Sequence, residues 1–104
     1  MKIEDLERRA RKLRDRGELR KATRAWEELC LALPDSPRHW ALLGAILLEA
    51  RRLDDAVRAF RTAIWLRSRE GDVRRAASLA RFLLRHVDED QTAQRALDRL
   101  RRAA

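Results

Sequence analysis

Trp40-Ala41-Leu42-Leu43-Gly44-Ala45-Ile46-Leu47, followed after a short break by Ala56-Val57-Arg58-Ala59-Phe60-Arg61-Thr62-Ala63, decides how this chain folds. Apolar residues fall three and four apart, the period of a helix and not the alternation of a strand. In each stretch a small residue sits where its neighbours are large: Gly44 beside Trp40, Ala56 beside Phe60. That arrangement suits two antiparallel helices in close approach, the small residues admitting the neighbouring helix and the rings filling the space around it. The same kinds of residue recur at a displacement of 34. Leu6 falls on Trp40, Ala10 on Gly44, Leu13 on Leu47, Ala22 on Ala56, Trp26 on Phe60 and Leu29 on Ala63. A fixed period of this length marks a stacked array of helical hairpins, each unable to bury its apolar face alone.

Outward from this core the periodicity predicts six helices, over 3–16, 18–32, 37–50, 53–69, 72–86 and 90–102. Most of the breaks have local causes. Gly17 can take a left-handed cap, and Pro34-Asp35-Ser36-Pro37 ends one helix and starts the next, with Ser36 as N-cap and Pro37 in the first turn. Gly71-Asp72 and Asp88-Glu89-Asp90 each offer a carboxylate to the free N–H groups of a new helix. The turn at Arg51-Arg52 has neither Gly nor Pro and rests on periodicity alone.

Trp40-x-x-Leu43-Gly44-x-x-Leu47 with Ala56-x-x-x-Phe60-x-x-Ala63 resembles the tetratricopeptide repeat, whose period is 34 and whose pattern has those residue kinds at those offsets. The first copy has Gly17, Ala22, Trp26, Leu29 and Pro34 in register, with Arg9 where the pattern wants Leu. The resemblance covers the chain most closely over residues 3–66. It implies one all-α domain over 1–104, a right-handed superhelical stack of three hairpins at about 3–36, 37–70 and 71–104. The third copy is irregular. Strict continuation would bury Arg74 and Arg81, so the expected register slips: Ala76, Leu79, Ala80 and Leu83 under Trp40, Leu43, Gly44 and Leu47, then Ala93, Leu97 and Leu100 under Ala56, Phe60 and Ala63. In a competing register, Gly71-x4-Ala76-x3-Ala80 copies Gly17-x4-Ala22-x3-Trp26, which changes how the fifth helix packs.

The resemblance further implies a concave side lined by the first helix of each pair, where such repeats hold peptides and partner helices. In the second repeat the face turned away from Trp40, Leu43 and Leu47 carries Arg38, Ala41, Ala45 and Leu48. Its equivalents are Glu4, Glu7, Arg11 and Arg14 in the first repeat and Arg74, Ala77, Arg81, Leu84 and Arg85 in the third. An apolar middle with basic flanks fits an acidic or amphipathic segment of a protein partner, apolar contact supplying affinity and charge supplying register. The chain has no Asn, which departs from the carboxylate clamp of Lys, Arg and Asn found in one subtype of the family. Trp65 lies past the Phe60 and Ala63 seam and is the candidate for self-association, so a homo-oligomeric structural element is the alternative.

Composition sets the outer limits. The 104 residues are 45% hydrophobic and 40% charged, against a usual charged share of roughly 25%, with three Gly, two Pro and no Tyr. Such a chain can bury a core and must wet a large surface, which excludes disorder and argues against an all-β fold. Net charge is +8, carried by arginine except at Lys2, Lys12 and Lys21. Nucleic acid is the rival partner from another class, but the arginines are spread over every helix among acids and form no reading module. The longest apolar stretch, Trp40 to Leu48, is about half of a membrane span, and the acidic N-terminal residues lack a signal-peptide pattern, so the expected location is the cytoplasm. Cys30 reads as a small buried apolar residue. His39 and His86 have no nucleophile or metal-ligand spacing beside them, and Asp88, Glu89 and Asp90 suit a turn. The expectation is therefore a non-enzymatic interaction module with no metal and no cofactor.

Overall fold

The computed structural model describes residues 1–104 and contains six α-helices and no strand: α1 (Ile3–Asp15), α2 (Leu19–Ala32), α3 (Pro37–Glu49), α4 (Leu53–Arg69), α5 (Val73–Leu84) and α6 (Gln91–Ala103). Each helix packs on the next in sequence, and α4 also contacts α6. One apolar cluster runs from Ala10 in α1 to Ala96 in α6 and includes Trp26, Leu29, Leu43, Leu47 and Phe60. No helix is long and apolar enough to cross a membrane.

Three of the five turns are the same turn. Gly17, Arg51 and Gly71 have φ of 76°, 60° and 79°. Their N–H groups donate to Arg14, Leu48 and Ser68, while the next N–H in each case donates to Leu13, Leu47 and Arg67, at 2.9–3.0 Å. This is the Schellman closure, in which one left-handed residue satisfies the last carbonyls of a helix. The glycine-free break at Arg51 is therefore a glycine turn without its glycine. A side chain in the left-handed region costs on the order of 1–2 kcal/mol, offset by the lower chain entropy of a non-glycine residue. Arg51→Gly should raise stability by about 0.5–1 kcal/mol, read as a higher urea midpoint at unchanged slope.

The helix starts divide by mechanism. Asp72 and Asp90 cap as expected, accepting from the backbone N–H of Arg75 at 3.1 Å and Ala93 at 3.0 Å. Ser36 occupies the N-cap position of α3, but its hydroxyl makes no cap bond and turns to Nδ1 of His39 at 2.6 Å. Trp40 is only half-buried, its indole N–H donating to the Pro34 carbonyl at 2.9 Å.

The fifth helix corrects the expected register. Its buried residues are Ala76, Ala77, Ala80 and Leu83. They repeat, position for position, Ala22, Thr23, Trp26 and Leu29 of α2, all buried, just as Gly71 repeats Gly17. The competing register thus describes α5, which buries the face of a second helix. Ala77, expected on the contact surface, is fully enclosed, and Leu79, expected in the core, is half-exposed.

Candidate functional site

Rotating α5 into that register turns Ser78, Leu79 and Phe82 toward α3 instead of Ala77 and Arg81. Between the two helices lies a cleft of about 430 Å³, with Pro37, Arg38, Ala41, Leu42 and Ala45 on one wall, Arg75, Ser78, Leu79 and Phe82 on the other, and Phe60 and Arg67 from α4. Apolar side chains make its walls and three guanidinium groups stand around it. Arg38, Ala41 and Ala45, expected together on one face of α3, all line this cleft.

The other expected contact residues lie elsewhere. Leu48 does not line the cleft; it packs half-buried on the core. Arg74 and Arg81 are exposed on α5 outside it, and Arg75, one position on, takes the place expected of Arg74. Arg11 is exposed on α1, away from the cleft. Arg14 is held by Glu49, Nε to Oε1 at 2.8 Å, and that hydrogen bond pushes the guanidinium further toward its charged form. Leu42, Arg67, Arg75, Leu79 and Phe82 were not among the expected contact residues; Arg75, Leu79 and Phe82 depend on the rotation of α5, and Arg67 lies on α4, outside the first helices from which contacts were expected.

Next to the cleft a part-buried polar bridge ties α1 to α3. Glu7 Oε1 accepts from Arg38 Nη1 at 2.8 Å and sits 2.6 Å from His39 Nε2, while Ser36 closes on the other ring nitrogen. The Arg38 hydrogen bond is the main reason the Glu7 carboxyl lies below its ordinary range. An ionised carboxylate can only accept, so the hydrogen between the two lies on Nε2. A serine, a histidine and a carboxylate in line resemble a proton relay in connectivity. His39 is 6% exposed, and the line links α1 to the start of α3. Spacing of Ser36 and His39 three apart at a helix start was its only sequence signal.

Trp65 is 55% exposed, with the Arg69 guanidinium 4.8 Å from its ring centroid. Cys30 is buried, and that burial pushes its thiol pKa to about 12, so it is an inert apolar residue. Asp90 is used twice by the turn, capping α6 and pairing with Arg61. No family model matches the sequence, and no curated protein matches it.

Proposed function

We propose that the chain is a non-enzymatic protein-interaction module of the tetratricopeptide-like kind, a right-handed stack of helical hairpins whose cleft between α3 and α5 holds an acidic amphipathic segment of a partner protein. The stack reading is supported by the repeated Schellman turns and by links between alternate helices: Arg38 to Glu7 and Arg14 to Glu49 join α3 to α1, and Arg99 donates to the Ser68 carbonyl to join α6 to α4. In this reading α1–α2 and α3–α4 are full hairpins. The following turn repeats the hairpin turn, so α4 also serves as the first helix for α5.

The observation that carries the binding reading is the cleft itself. Ala41, Ala45, Leu42, Leu79 and Phe82 offer apolar contact for one or two anchoring side chains of a docked helix. Arg38, Arg67 and Arg75 border it; each already meets a carboxylate of the chain (Glu7, Glu70 or Asp72), and in the chain's net positive field they favour an acidic segment through their remaining N–H groups. A single buried thiol fits a reducing compartment, the cytoplasm of the sequence reading.

The test is binding of a fluorescein-labelled amphipathic peptide of Glu and Leu, followed by anisotropy. Ala45→Asp puts a charge into the apolar wall and should weaken binding by about tenfold or more, with helicity unchanged by circular dichroism. Unchanged affinity would remove the cleft as the site. Leu48→Asp is the wrong probe, since Leu48 packs on the core and its loss would be read as unfolding. Self-association is the second reading, favoured by Leu31 and Trp65, 80% and 55% exposed at the same offset of the repeat, and opposed by the net charge of +8.

A further inference from the structure

The departure at Arg9 has a structural counterpart. In the 34-residue register Arg9 and Lys12 stand where α3 has Leu43 and Ile46, and those two are 6% and 2% exposed in the core. Arg9 and Lys12 are instead exposed on the outer side of α1. They open on a cleft of about 490 Å³ between α1 and α2, floored by Leu13, where five cations (Arg8, Arg9, Lys12, Arg16 and Lys21) meet two carboxylates, Asp5 and Glu18. Both carboxylates are already taken by neighbours on their own helix turn, Asp5 by Arg8 and Glu18 by Lys21. Arg9, Lys12 and Arg16 have no acidic partner. A second hollow of about 310 Å³ shares Arg9 and Lys21 and adds Arg24 together with the carboxylate of Glu28, which bounds the positive surface along α2.

Chemistry narrows what this cleft can accept. An apolar helix seated on it would bury unpaired cations, at several kcal/mol for each. A second copy stacked by α6 would bring Arg95, Arg99, Arg101 and Arg102 onto the same charges. An ordinary solvating face interleaves signs, whereas here both carboxylates lining the cleft are paired and three cations line it without an acidic partner. Guanidinium groups take phosphate oxygens in paired hydrogen bonds, and a lysine adds a point charge. The volume falls within the roughly 300–1,000 Å³ of small-ligand sites. We propose that the α1–α2 cleft binds a polyphosphate group, a linear run of two or three phosphates, with Arg9, Lys12 and Arg16 as its ligands. This site is separate from the α3–α5 cleft and stands or falls independently of it.

Isothermal titration of the full chain at about 0.15 M salt, where diffuse attraction is screened beyond about 8 Å, tests the proposal with inorganic tripolyphosphate, inorganic monophosphate and adenosine triphosphate. Tripolyphosphate should bind one per chain and about tenfold or more tighter than monophosphate. The double variant Arg9→Ala, Lys12→Ala should lose about tenfold, and the pair Arg95→Ala, Arg102→Ala, equal in charge, less than about twofold. Equal affinity for tripolyphosphate and the nucleotide assigns the phosphate chain alone as ligand; a tighter nucleotide adds a base or ribose contact to the same site. Equal affinity for mono- and tripolyphosphate overturns the proposal. So does equal sensitivity to the two double variants, or a single-stranded oligonucleotide that displaces tripolyphosphate and is weakened alike by both pairs, since each means unlocalised attraction to a basic surface.

Discussion

Phe60→Ala should destabilise the protein by about 3–5 kcal/mol, most of what a domain with roughly 5–15 kcal/mol of total stability can lose. The ring is 2% exposed, and its centroid lies 5.3 Å from that of Phe82 with the planes tilted by 58°. It thus joins α4 to α5 and floors the α3–α5 cleft at once. On its other side it fits against Gly44, where an added Cβ would stand 2.8 Å from the Phe60 ring. In an exposed helix Gly→Ala gains about 1 kcal/mol of helix propensity. Here the clash wins, because the ring is held between Gly44 and Phe82 and overfilling a core costs about 1–3 kcal/mol. Gly44→Ala alone should therefore destabilise. Within Phe60→Ala the same methyl enters vacated space, and the substitution should become neutral or stabilising. A double-mutant cycle from urea denaturation should show coupling of about 1 kcal/mol or more. Strict additivity would mean that Gly44 is small for some reason other than this ring.

The same pair explains how much could be read from the sequence. Gly44 and Phe60 carry strong size information, and from such residues the six helices were legible, with Arg38, Ala41 and Ala45 together on one face of α3. The α5 wall was lost because Ala76-Ala77-x-x-Ala80 fits two registers about equally well: alanine is tolerated on a core face and on an open one. Only the turn distinguishes them, and Gly71 sets it by repeating Gly17. Arg51 hid its membership of that series because the left-handed conformation there accompanies the closing hydrogen bonds of the turn and is not one the residue itself favours. The Glu7 bridge was beyond reach for a different reason. It joins side chains 31 and 32 positions apart, and such a contact exists only once α1 and α3 are set side by side.

Removing the charge from that bridge is the second large effect. Glu7→Gln keeps the shape and the acceptor oxygen but loses the charge-assisted bonds to Arg38 and His39, and should cost about 1–3 kcal/mol at neutral pH. The buried partner decides the size: Arg38 can turn to water, while the His39 side chain, 8% exposed, cannot. The pH dependence has a fixed sign. Glu7 has a carboxyl pKa lowered from 4.5 in the folded state, chiefly by the Arg38 hydrogen bond. A depressed folded value means that this stabilisation is complete above the unfolded pKa and is lost as pH falls through the folded one. Urea midpoints measured along a pH series should show a constant gap between wild type and Glu7→Gln above about pH 5, narrowing progressively below about pH 4. Should the gap persist unchanged into strong acid, the carboxylate charge would not be what the bridge depends on, and the hydrogen-bonded shape of Ser36, His39 and residue 7 would account for the whole of it.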